Sequence, residues 1–141
     1  MIKGIENIDL SSVRINRVKR AVYKQERAWG MSKDVAEWFT ILIKRPSNPN
    51  KEIVIGEVTT WIYGNGVKYV AWIKLRPEFR GKGIGTAVIK KYFRGYYIDA
   101  GNKRAANLYA KLGRGFDKFN KQERNSYNSA LQSKFGTFRF N

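Results

Sequence analysis

The stretch IVIGEVTTWIYGNGVKYVAWIKL, residues 53–75, most narrows what this chain can become. Two runs rich in β-branched and aromatic residues flank Gly64-Asn65-Gly66. Such runs favour strands, and an Asn-Gly pair supplies the positive φ angles of a tight hairpin. The pattern predicts a strand over 51–63 and an antiparallel partner over 67–75. WFTILIKR, residues 38–45, reads as a further strand, joined through the proline-containing turn RPSNPN. The middle of the chain is therefore an antiparallel meander.

The flanks read differently. Residues 2–8 suit a short strand. Ser11 or Ser12 offers a helix N-cap. At about 100° per residue, Ile15, Val18, Ala21, Val22 and Trp29 then share one face of a helix over 13–29. Arg17, Arg20, Lys24 and Arg27 share another face, and Gly30 ends the helix. Ser32 caps a short second helix through Glu37. After the meander, the spacing predicts a helix over 85–93 and a strand over 96–99. A helix from Asn102 to Leu112 follows. A last helical pattern carries Tyr127, Leu131 and Phe135, and TFRF closes the chain as a strand.

Length and composition fit one domain over 1–141, with 117–141 as a divergent helix plus strand. With 43% apolar residues and twenty aromatics (four Trp, eight Tyr, eight Phe), the chain can bury a substantial core. It contains no cysteine and no histidine. That excludes disulfides, a thiol nucleophile, a histidine base and histidine or thiolate metal ligands. No metal is expected, and proton transfer falls to Glu, Asp, Tyr, Lys or water. No apolar run reaches membrane-spanning length, and the N-terminus lacks the apolar core of a secretory signal, so a cytoplasmic protein is expected. The net charge of +17 is spread along the whole chain, which favours an acidic or polyanionic partner over a cationic one.

FRGKGIGTAVIKK follows the meander. It is not a Walker A loop, because Lys82 lies between the glycines. It is not a dinucleotide fingerprint, because the third glycine is missing and the preceding strand closes an antiparallel hairpin. A glycine loop between strand and helix still gathers backbone N–H groups at the positive end of a helix dipole, where a phosphate can sit. Arg80 and Lys82 add charge. A bare tight turn is the other reading of the same spacing.

Two longer signatures carry a resemblance. LRPEFRGKGIGTAVI places Pro77 and Glu78 before Arg80-Gly81-Lys82-Gly83-Ile84-Gly85. NKRAANLYAKLGRGF places Asn102, Ala105, Leu108, Tyr109, Lys111, Leu112, Gly113 and Phe116 downstream. Together they resemble the GCN5-related N-acetyltransferase (GNAT) family. The similarity is strongest over 51–116, and the expected element order, an N-terminal helix pair included, agrees up to residue 116. The resemblance implies a GNAT fold of α/β (α+β) class: a central, mostly antiparallel mixed sheet flanked by helices. The short run from Gly85 to Asn102 implies an abbreviated sheet after the loop.

It further implies an acyltransferase that moves acetyl from acetyl-CoA directly to an amine of a protein or small molecule. By resemblance the cofactor is held by Arg80, Gly81, Lys82, Gly83, Ile84, Gly85, Thr86 and Asn102, with Leu75 at the end of the strand before the loop. Tyr109 matches a tyrosine that protonates the departing thiolate. Glu57 is the candidate general base, or else an outer-face carboxylate paired with a lysine. Arg17, Arg20, Lys24 and Arg27 form the candidate acceptor or partner surface, or else a solvated helix face. The alternative function is a basic GNAT-fold protein that binds nucleic acid or an acidic protein. It would either modify a nucleic-acid-linked amine or act with little catalysis.

Overall fold

The structure, a computed structural model, describes residues 8–28, 30–126 and 134–141. These form a seven-stranded mixed sheet with helices, built on the meander. Strands β1 (Arg14–Arg27), β2 (Gly30–Arg45), β3 (Asn48–Ile62) and β4 (Lys68–Leu75) run antiparallel in sequence order. Helix α1 (Ile84–Tyr92) crosses to β5 (Tyr97–Asp99), which is parallel to β4. Helix α2 (Lys103–Leu112), β6 (Gly113–Gly115), α3 (Lys121–Ser126) and β7 (Thr137–Phe140) follow. The sheet order is β1-β2-β3-β4-β5-β7-β6. The mixed α/β class, the meander and the short β5 expected from sequence are all present.

The hairpin turn forms at Gly64-Asn65-Gly66, with the positive φ at Gly66 and not at Asn65. Tyr63 N–H donates to Val67 O at 2.9 Å, and Gly66 takes φ +90°. Asn102 caps α2 by accepting from Ala105 N–H at 2.8 Å. Asn120 and Glu123 form a reciprocal capping box at α3: Glu123 N–H donates to Asn120 Oδ1 (2.8 Å) and Asn120 N–H to Glu123 Oε1 (3.0 Å).

The N-terminal half corrects two expectations. Residues 14–27 are strand β1, not a helix, and 32–37 lie inside β2, not in a second helix. The two strands pair directly as a long hairpin, with Arg14 opposite Leu42 and Arg27 opposite Gly30. No helix pair separates them, so the element order departs from the expected one before the meander. The supposed apolar helix face does not exist: Val18 is 58% exposed and Val22 48%. The alternation that matters is in β2, where Ser32, Asp34 and Ala36 are buried in turn. The strand expected over 2–8 lies almost wholly outside the described residues, as do Trp29, Tyr127 and Leu131.

One face of the sheet carries the main core. Ile41, Ile43, Val58, Val70 and Ile98 meet Ile84, Val88 and Ile89 of α1 and Tyr109 and Leu112 of α2. Both helices thus cover the same face. On the other face, Phe116 and Phe119 pack with Tyr97 and Val67, which covers the β5 end.

Candidate active site

β4 and β5 stay paired only at Tyr69↔Tyr97 and Val70↔Ile98. The register between β3 and β4 then slips at Thr59/Thr60, which leaves Ala71 as an extra residue and bends β4. Below the slip, Asp99 accepts from the Tyr69 hydroxyl at 3.0 Å and from the Thr137 hydroxyl, tying β4, β5 and β7 together. Burial, then the Asp99 carboxylate, raises the Tyr69 phenol far above its ordinary value, so it stays a donor. Above the slip the two strands part, and a cleft of about 520 Å³ opens between β4, α1 and α2.

Leu75, Arg80, Gly81, Gly83, Ile84, Gly85, Thr86, Asn102 and Tyr109 all line this cleft. Sequence reading had singled out all nine. Gly81 and Gly83 take φ +72° and +81°, which residues with a Cβ rarely adopt. The first α-helical bond of α1 is Ala87 N–H to Gly83 O, 3.0 Å. The N–H groups of Ile84, Gly85 and Thr86 therefore have no partner within the helix, and these residues sit at the cleft wall. A Cβ built on Gly85 meets nothing within 4 Å, so the wall there is open to a ligand. Arg80 Nε donates to Leu75 O at 3.1 Å, which folds the loop back over the end of β4.

Leu75 has a second property. Arg76 N–H is spent on Ile55 O of β3 at 2.8 Å. Successive residues in a strand point their N–H groups to opposite edges. Leu75 and Ile73 therefore present theirs to the edge that β5 has vacated.

Tyr109 is 8% exposed and packs edge-on against Phe138 and Phe140, with centroids at 6.1 and 5.6 Å. Burial raises its phenol above the ordinary value, and its hydroxyl has no hydrogen-bond partner among the described residues. Arg104, Ile73 and Lys74 also line the cleft and were missed from sequence. Arg104 could have been found: two residues after the Asn102 cap, it belongs to the first turn of α2, next to the loop.

Other candidates lie apart. Lys82 is exposed and outside the cleft lining. Glu57 is exposed, opposite Lys74, with its neighbour Val58 facing the core. It borders a shallow depression that shares Lys74 and Leu75 with the cleft. The four cations of β1 are not a helical stripe. Arg17 pairs with Glu37 at 2.9 Å and Arg27 with the buried Asp34. The slip in register at Val18 keeps Arg17, Arg20 and Lys24 on one face and sends Arg27 to the other. A second cavity, of about 470 Å³ and bordered by Lys68, Arg94 and Arg139, contains none of the expected site residues.

A mixed sheet whose central parallel pair opens onto a glycine loop and a helix N-terminus defines an α/β protein with a cleft in the gap between its splayed strands. The family model for the acetyltransferase (GNAT) domain matches residues 40–113, just over half the chain. The chain belongs to this acetyltransferase family, whose domain carries out acetyl transfer. Comparison with curated proteins and with solved structures gave no match. Among the described residues no helix is long and apolar enough to cross a membrane, and no group of three or more acidic side chains could hold a metal ion.

Proposed function

We propose that residues 1–141 act as one catalytic unit that transfers acetyl from acetyl-CoA directly to a primary amine. The observation that carries this reading is the convergence of the loop glycines, Leu75, Asn102 and Tyr109 on one cleft. The N–H groups of residues 84–86, with Arg80 and Arg104, hold the pyrophosphate end of the substrate. The vacated edge of β4 takes the pantetheine arm in place of the missing strand, with Asn102 at its side. The Leu75 N–H hydrogen-bonds the thioester oxygen as negative charge builds there. The amine attacks the carbonyl carbon, and the C–S bond breaks. Tyr109, kept protonated by burial, gives its proton to the leaving thiolate, and the proton the nitrogen sheds as it becomes an amide restores the phenol.

The chain has no cysteine, so no acetyl-cysteine forms. The attacking ammonium must first lose a proton. Glu57, set back beside Lys74, takes it through water. The net charge of +17 supports an acceptor carried on an acidic or anionic molecule.

Calorimetric titration with acetyl-CoA at moderate salt tests the reading. One equivalent should bind to the wild type and none to Gly83→Arg, and thiol release should then follow addition of an amine acceptor. Binding that is equal in both proteins and vanishes with salt would sink it.

A further inference from the structure

The sheet face opposite the helices carries a feature that acetyl transfer does not use. The register aligns Lys19, Trp38, Thr59 and Trp72 in one row across β1 to β4. Their chain neighbours Val58 and Ile73 point into the core beneath α1 and α2, so this row faces the other way. Segment 116–119 covers that face only near β5.

Over β1–β4, Trp72 is 55% exposed. Tyr23, 41% exposed, stacks on Trp61 at 5.3 Å and 17° across the small Ala36. Lys19 Nζ lies 4.8 Å from the Trp38 ring centre. Lys19 and Lys74 on this face make no ion pair among the described residues.

We infer that this face binds single-stranded nucleic acid, with unstacked bases on Trp72 and the Tyr23–Trp61 pair and phosphates on Lys19 and Lys74. Flat rings set among cations on an open sheet are what a base-and-phosphate chain needs. An acidic peptide would use the cations but leave the rings idle. A duplex would offer phosphates but no free base faces. The inference rests on exposure and charge, and stands whether or not the cleft transfers acetyl.

The test is fluorescence anisotropy with a labelled oligouridylate of about twelve nucleotides, with tryptophan quenching read in parallel and heparin and poly-glutamate as comparison polyanions. Trp72 is exposed, so Trp72→Ala should keep the wild-type melting temperature. It should bind the oligonucleotide about tenfold more weakly, as expected for loss of one stacked base. Trp72→Phe should recover most of the affinity, and heparin binding should not change. The double variant Lys19→Ala/Lys74→Ala should lower the slope of log K against log salt by about 1.4, for two phosphates on a single strand. Oligouridylate binding that ignores Trp72 overturns the inference. So does poly-glutamate binding with the same Trp72 dependence, which would make this a docking face for acidic proteins. Tighter binding of a duplex overturns it as well.

Discussion

At the scale of single residues, Tyr109 and Gly85 separate chemistry from architecture. The Tyr109 ring fills a space between Phe138 and Phe140, while its hydroxyl meets no partner among the described residues. Tyr109→Phe should therefore leave the melting temperature unchanged and lower kcat by about 100-fold, as expected for removal of a positioned acid. Stopped-flow thiol release beside calorimetry checks both halves. Gly85 is the converse case. It lies in the first turn of α1 with open space where a Cβ would go. Gly85→Glu should hold or raise stability, by about 0.5–1 kcal/mol from helix propensity and the dipole. It should also abolish acetyl-CoA binding, because a carboxylate would occupy the anion site. Loss of fold in this variant would contradict the geometry; retained binding would contradict the assignment. Glu57→Gln should slow transfer only about tenfold, since a base acting through water contributes less than one in contact with the acceptor.

At the scale of elements, the β1–β2 hairpin depends on one buried carboxylate. Asp34 is fully buried and accepts from Ser32 Oγ (2.6 Å), Gly64 N–H (3.0 Å) and Arg27. Burial opposes its charge, but the Ser32, Arg27 and Gly64 contacts outweigh it and lower its pKa. A depressed carboxylate stabilises the fold above its unfolded value and loses that contribution as pH falls through the folded one. Glu123 behaves alike: burial is outweighed by Arg139, the Asn120 N–H and Arg114, and its pKa falls to about 2. Thermal melts should therefore hold steady down to about pH 4.5 and drop steeply between there and pH 2. Asp34→Asn should flatten the hairpin's share of that drop and cost about 2 kcal/mol.

The same hairpin shows where sequence was hard to read. RINRVKRAVYKQER is made largely of good helix formers, and its apolar residues fall at helical spacing. Propensity is a small term per residue, and pairing along the whole length of β2 overrides it. The readable signal lay in the partner, where Ser32, Asp34 and Ala36 alternate, but two of the three are polar and so hid the pattern. The cleft was legible because its requirements are local: positive φ at Gly81 and Gly83, an N-cap at Asn102. Glu57 and Lys82 were placed less well because which way they face depends on pleat and loop path, not on spacing.

At the scale of the whole molecule, +17 is an internal strain as well as an attraction. Like charges spread over a small body repel one another, and salt screens them within about 10 Å at 0.1 M. Raising sodium chloride from 0.05 to 0.3 M should therefore raise the melting temperature while it weakens any polyanion complex. Differential scanning fluorimetry and anisotropy on the same samples would show the two trends crossing. A melting temperature that falls with salt would mean that the ion pairs, six among the described residues, outweigh the repulsion.

The parallel seam between β4 and β5 has a mechanical meaning. Two register positions join a broad four-stranded panel to a small three-stranded one. The sheet is at its most thinly paired here, and the cleft is the gap along the open side of the seam. A substrate arm laid in that gap would stitch the panels together over their missing length. Amide exchange at Ile98 should then slow on loading far more than exchange within β2 and β3, and the ligand would serve for a time as the eighth strand.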